Sequence, residues 1–272
     1  MSVEARLPTM FIPHGGGPCF FMDWTMGPPD TWDRLAGFLR TFDAVAGQRP
    51  KAIVVVSGHH ESDVIEITSS PAPPLLFDYY GFPPHTYQLR YPAHGSPELA
   101  GGIAELLSAA GIACRLDPDR GFDHGVFVPM LLMYPNADIP VVQMSLRSDL
   151  DAEFHLAVGD AIASLRDQGV LIVGSGMSYH NMTRFGTADA HADSVAFDDW
   201  LTAACTTEPV ARRAALAGWT DAPRARAARP REEHLLPLMV VAGAANTEPG
   251  VQIFSDELLG ARISAYRFGS DG

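Results

Sequence analysis

The chain has 272 residues, with 32 acidic against 19 basic side chains and a formal charge of −13. Apolar residues make up 47% of it and charged residues 19%, which excludes an intrinsically disordered, charge-solvated chain. So acidic a balance also argues against binding nucleic acid or an anionic membrane, because neutralising phosphates takes clustered Lys and Arg.

Thr9–Ile12 is the first of four short apolar runs that read as buried strands, being brief, rich in β-branched residues and bounded by Gly, Pro or polar residues. The others are Ala52–Val56, Val141–Met144 and Val170–Val173. Helical patterns lie between and after them at Thr31–Ala46, Ser96–Ala110, Ala152–Gln168 and Ser194–Thr206. A fifth, Glu232–Ala245, contains Pro237, which should kink the helix or start it anew. The segment from Ser69 to His94 is rich in proline and aromatics and predicts an ordered excursion that covers the end of a sheet as a lid. Thr220–Arg231 predicts an exposed connection. Alternating strands and helices define an α/β chain: one domain over residues 1–272, with a mostly parallel or mixed sheet flanked by helices.

Cys19, Cys114 and Cys205 are far apart and form no CxxC pair, so neither a disulfide framework nor a thiolate zinc site is expected, and the reducing cytoplasm is the expected compartment. The N-terminal residues read as neither a signal peptide nor a membrane anchor, and no apolar run is long enough to span a bilayer.

One lysine, Lys51, stands against ten histidines. In open α/β sheets ligands bind beyond the carboxyl ends of strands, and histidines occur at three such ends, each beside glycines. His14 follows the first strand in PHGGGP, His59 and His60 follow the second in SGHHE, and His180 follows the fourth in GSGMSYH. Any one of them alone would ordinarily be an idle polar residue; three together point to a site at the strand ends. His124 in GFDHG, with Asp123 beside it, and His234 beside Glu233 are further candidates, whereas His85, His94, His155 and His191 read as surface, lid or packing residues. Imidazoles with a carboxylate suit zinc, ferrous iron, copper or nickel rather than calcium or magnesium. No HExxH, HxH or CxxC signature is present, so spacing gives a metal site without a reaction.

FIPHGGGP, VVVSGHHE, FDYYGFPPHTYQLRYPAHGSPELA, GFDHGVFVPMLLMYPNADIPVVQMSL, GSGMSYHNM and REEHLLPLMVVAGAA occur in that order. Together they resemble the class III extradiol ring-cleavage dioxygenases, in the 4,5-DOPA dioxygenase-like branch of the LigB-type superfamily, from about residue 7 to the C-terminus. The resemblance implies oxidative opening of a catechol beside its two hydroxyls, with Fe(II) and O2, to a hydroxymuconic-semialdehyde-type product. Zn(II) is a metal the isolated protein would also take up. Carried over, His14, His59 and His234 match metal ligands; His180 matches the catalytic base, which in some relatives approaches the metal as a fourth ligand. His124 matches a second active-site histidine. Whether Glu233 joins or replaces His234 is open. His60 is expected to shape the substrate pocket, and Tyr79, Phe82 and Tyr87 to enclose the ring or to pack the lid onto the core. The implied partners are a small catechol and O2, with the oligomeric state, monomer or homodimer, unassigned. A zinc-dependent hydrolase and a non-catalytic metal-binding homologue are the alternatives. Arg90 and Arg184 are candidate clamps for a substrate carboxylate, or surface charges.

Overall fold

Four consecutive parallel strands, built from the four apolar runs, form the centre of the molecule. The computed structural model describes residues 6–269. Its strands are β1 (Thr9–Pro13), β2 (Ala52–Ser62), β3 (Ile65–Thr68), β4 (Cys114–Asp117), β5 (Val141–Arg147), β6 (Val170–Gly176), β7 (Gly250–Leu258) and β8 (Ala261–Phe268). They form one eight-stranded sheet in the order β4-β3-β5-β2-β6-β1-β8-β7. β5, β2, β6 and β1 are mutually parallel, and β8 and β7 continue the sheet antiparallel beyond β1. β3 runs antiparallel to β5 and parallel to β4 at the other edge.

The helices are α1 (Asp33–Arg40), α2 (Phe42–Ala46), α3 (Pro97–Ala109), α4 (His124–Met133), α5 (Ala152–Ile162), α6 (Ala188–Thr206), α7 (Pro209–Ala217), α8 (Ala225–Ala228) and α9 (Leu236–Ala244). Successive side chains of β6 point to opposite faces and show which helix covers which. Ser175 donates to the Gly125 carbonyl of α4, while a Cβ on Gly174 would lie 2.4 Å from the Pro237 carbonyl of α9. α4 and α9 therefore sandwich the parallel strands. All nine residues of α9 are buried, and α5 covers it in turn. These two helices meet backbone to backbone: a Cβ on Gly159 would come within 2.0 Å of the Val240 carbonyl, and one on Gly243 within 2.0 Å of the Leu156 carbonyl.

The α/β fold and the four central strands are as the sequence implies. The helix over 31–46 is two, broken at Thr41, and the one over 152–168 ends at Ile162 and tightens into a 3-10 turn to Gln168. α6 starts six residues before the expected Ser194, at Ala188, where the Thr187 hydroxyl accepts from the Ala190 N–H at 3.3 Å. Pro237 sits in the first turn of α9, so it begins a helix, as its missing N–H permits. The connection over 220–231 is not uniformly exposed: it includes α8, and Arg229 within it is fully buried.

His155 of α5 is a buried packing residue whose Nε2 accepts from the Arg147 N–H at 3.0 Å and whose Nδ1 donates to the Asp151 carbonyl at 2.6 Å. Burial holds its pKa below the usual imidazole value of 6.5. The unfolded chain thus takes up a proton below about pH 6.5 that the folded chain refuses, and stability falls as pH drops. The variant His155→Gln should flatten this dependence by up to about 1.4 kcal/mol per pH unit. Urea unfolding between pH 7.5 and 5 measures it; an unchanged slope would exclude the neutral buried imidazole.

Candidate metal centre and catalytic site

His14 leaves the end of β1, His59 projects from β2, and His234 lies in the turn that leads into α9. The structure brings their rings together: His59 Nε2 is 3.1 Å from His14 Nε2 and 3.1 Å from His234 Nε2. What brings His234 there is the absence of side chains beneath it. A Cβ on Gly176 would lie 2.1 Å from the His234 carbonyl, and one on Gly58 would lie 3.1 Å from the Glu233 carbonyl and 3.2 Å from His234 Cα. The segment therefore rests on bare strand backbone, pinned by the Met177 N–H to the His234 carbonyl at 3.0 Å.

The other ring nitrogens decide the tautomers. Ser175, having given its hydrogen to the Gly125 carbonyl, can only accept from His14 Nδ1 at 3.3 Å. Glu233 Oε1 accepts from His234 Nδ1 at 2.9 Å, and Asp78 Oδ2 lies 4.0 Å from His59 Nδ1. With protons held on Nδ1 of His14 and His234, the Nε2 lone pairs of these two rings converge on the Nε2 of His59. Burial, reinforced by the facing imidazoles, holds His14 and His234 well below the ordinary range and brings His59 to about 3. Neutral imidazoles with convergent lone pairs are a metal donor set, and nitrogens about 3 Å apart suit ligands about 2.0–2.1 Å from one ion. The residues present fit a mononuclear metal with an open side.

Two further clusters of possible ligands, His59 with Asp78 and His124, and His180 with Glu233 and His234, surround this trio. In them the carboxylates already accept imidazole protons. Asp78 Oδ1 accepts from both the Nδ1 (2.8 Å) and the backbone N–H (2.9 Å) of His124. Glu233 Oε1 accepts from His180 Nδ1 at 3.1 Å as well as from His234. Burial opposes ionisation of both acids, yet the bonds from His124 and from His180 outweigh it and hold each below the usual carboxylate range. Glu233 thus sits behind His234 rather than in its place. The structure keeps His180 out of the Nε2 trio: it stacks on His234, with ring centroids 3.6 Å apart, and lines the cavity beside it.

That cavity has a volume of about 440 Å³ and is walled by His14, His59, His124, His180, His234 and Asp78, by Gly15–Gly17, and by apolar side chains from Trp24 to Leu259. Tyr79 and Phe82 line it; the Tyr79 hydroxyl donates to the Thr86 carbonyl at 2.7 Å, so the ring rather than the hydroxyl faces inward. Tyr87 is not on the wall but packs behind Tyr79, ring centroids 5.1 Å apart. His60 does not shape the pocket. Two successive strand residues cannot both turn into it, and His60 turns toward β3 and β5, bonding Glu66 at 2.8 Å and Gln143 at 3.2 Å. Gln143 in turn donates to Asp123 at 2.6 Å, and Ser57 donates to Asp123 at 2.8 Å, a buried polar chain under β2. Arg90 and Arg184 do not line the cavity, and Arg184 pairs with Asp193.

Asp78, Ser175 and Gly176 escaped the sequence reading as parts of the site. For Asp78 a signal existed: it is the one acid in the aromatic stretch PPLLFDYYGFPP. Ser175 and Gly176 carried none beyond following a strand.

Over residues 8–268 the chain matches the family described as the catalytic LigB subunit of aromatic ring-opening dioxygenase. It is 39% identical over 236 residues to the 4,5-DOPA dioxygenase extradiol of Beta vulgaris, covering 84% of this chain and 86% of that one. To the protein of the same name in Escherichia coli (strain K12) it is 36% identical over 248 residues, covering 89% and 86%. To the dioxygenase tasH of Hapsidospora irregularis it is 35% identical over 280 residues, covering 96% and 85%. The crystal structure of an uncharacterized Escherichia coli K12 protein superposes with a TM-score of 0.77 at 30% identity, covering 97% of this chain and 100% of that one.

Replacing Gly176 by Val should push the His234 segment off β6 and weaken metal affinity by at least about tenfold, as displaced ligand supports do. His14→Ala and His59→Ala should lose the metal too, whereas His60→Ala should keep it. Metal per chain by elemental analysis, with circular dichroism to check folding, is the measurement; full occupancy in Gly176→Val or His14→Ala would refute the trio.

Proposed function

The chain belongs to the family of the catalytic LigB subunit of aromatic ring-opening dioxygenases, and from that premise we propose that it opens a catechol beside its two hydroxyls, with Fe(II) held by His14, His59 and His234 and O2 as oxidant. The observation that carries the reading is the convergence of three Nε2 atoms between two carboxylate-supported histidines, all in one apolar cavity. A ferrous ion, when bound, supplies acidification of the catechol hydroxyls and electron traffic between the ring and dioxygen.

The protein's own groups do the rest. His180 donates a hydrogen bond from Nδ1 to Glu233, so its Nε2 is free to accept a catechol hydroxyl proton, and the Glu233 carboxylate stabilises the imidazolium that results. His124, oriented in the same way by Asp78, offers a second Nε2 on the other wall that can take the other hydroxyl proton, and whichever imidazolium has formed hands its proton back as the ring opens to a hydroxymuconic-semialdehyde-type product. The rings of Tyr79 and Phe82 flank the substrate and exclude water. Its partners on this reading are small molecules, a catechol and dioxygen, and neither nucleic acid nor membrane. Among the described residues no helix is long and apolar enough to cross a membrane. Three unpaired cysteines support a reducing cytoplasm.

An all-imidazole trio also suits zinc, which would make the site hydrolytic. Oxygen uptake separates the two. Anaerobically iron-loaded protein should consume O2 with a catechol and form a yellow product, and zinc-loaded protein should consume none. His180→Gln and His124→Gln should each lower kcat at least about a hundredfold while metal occupancy persists. Hydrolysis by the zinc form without oxygen uptake by the iron form would overturn the proposal, and normal turnover by His180→Gln would remove it as the base.

A further inference from the structure

Away from the histidines and Asp78, the cavity wall is uncharged. Beyond the histidines, Asp78 and Gly15–Gly17, the wall is made by aromatic and other apolar side chains, among them Trp24, Met26, Tyr80, Phe82, Met182 and Leu259. Among the described residues no lysine or arginine lines it. Of the arginines on neighbouring segments, Arg184 pairs with Asp193, Arg231 with Glu61 and Arg120 with Asp123, and the buried Arg229 donates to the Met177 carbonyl. The one carboxylate in the wall, Asp78, accepts from His124 Nδ1 at 2.8 Å. Large apolar side chains are also exposed at the mouth, Tyr80 by 91%, Met182 by 70% and Met26 by 59%. Such a grouping on a surface otherwise rich in acids marks a contact for something apolar.

We infer that the substrate is a catechol bearing an uncharged apolar substituent, alkyl or aryl, seated against Met26, Tyr80 and Met182. This rests on the ring-cleaving reading and narrows it. A carboxylate on the substituent would meet no lysine or arginine of the wall and would lie in one cavity with the Asp78 carboxylate. An alkyl chain of the same length instead removes apolar area from water, each buried methylene contributing about fourfold in affinity.

The test compares two catechols of matched shape, 4-propylcatechol and 3-(3,4-dihydroxyphenyl)propionate, with catechol itself as reference. Binding to the metal-loaded protein is read by calorimetry without oxygen, and turnover by oxygen uptake. Propylcatechol should bind more tightly and show kcat/KM at least about tenfold above the propionate. Met182→Arg, at an exposed position that accepts a longer side chain, should raise the propionate relative to propylcatechol by at least about tenfold by supplying the missing cation. Equal or better binding and turnover of the propionate by the native protein would overturn the inference while leaving ring cleavage intact. An unchanged preference in Met182→Arg would overturn the placement of the substituent at the mouth. Failure of all three catechols to bind or to drive oxygen uptake would instead remove the ring-cleaving reading itself.

Discussion

The site depends on a backbone lying on a backbone. His234 reaches the other two imidazoles because Gly58 and Gly176 present no side chain to the segment crossing them, and α9 follows directly over Gly174. A single methyl at Gly176 would meet the His234 carbonyl at 2.1 Å, a contact that no rotamer can relieve because neither partner is a side chain. The same device recurs one layer out, where Gly159 and Gly243 let α5 and α9 touch. Strand, ligand segment and covering helices are thus a stack with no adjustable side chain between them. That is how a loop ligand gains the precision of a strand ligand.

Position alone would not make three imidazoles a metal site; the hydrogen bonds behind them do. Ser175 and Glu233 hold a proton on the outer nitrogen of His14 and His234, and the inner nitrogens are left bare. Glu233 serves two rings at once, so the state of His180 and the orientation of His234 are coupled through one carboxylate. Asp78 fixes His124 from a different element. The result is a neutral, cation-seeking centre with a carboxylate-supported imidazole to either side, in a chain whose overall negative charge has little to do with it.

The central sheet was legible because fully buried parallel strands are continuous apolar runs, and β1, β2, β5 and β6 are such runs. β7 was not, since at a sheet edge exposed positions interrupt the pattern, as Val251, Ser255 and Glu257 do; β8, inside the sheet, was not because Arg262, Ser264 and Arg267 break up its apolar run. β3 and β4 are too short to show a period. Histidines at strand ends pointed to the right end of the sheet, but the direction of each ring could not be read: His60 follows His59 and faces another way. Nor could supporting residues be found, because Ser175 and Asp78 owe their roles to elements distant in sequence. Chemistry-bearing residues declare themselves by type, whereas those that orient them do so by contact.

The stacked glycines also bear on how such a chain can diverge. A seam of touching backbones tolerates almost no replacement, so lineages sharing this metal centre should drift together there and vary at the mouth, around Met26, Tyr80 and Met182, where side chains end in solvent. New substrates would then be acquired at the rim without disturbing the metal. One scaffold could serve many aromatic diets through a few exposed positions.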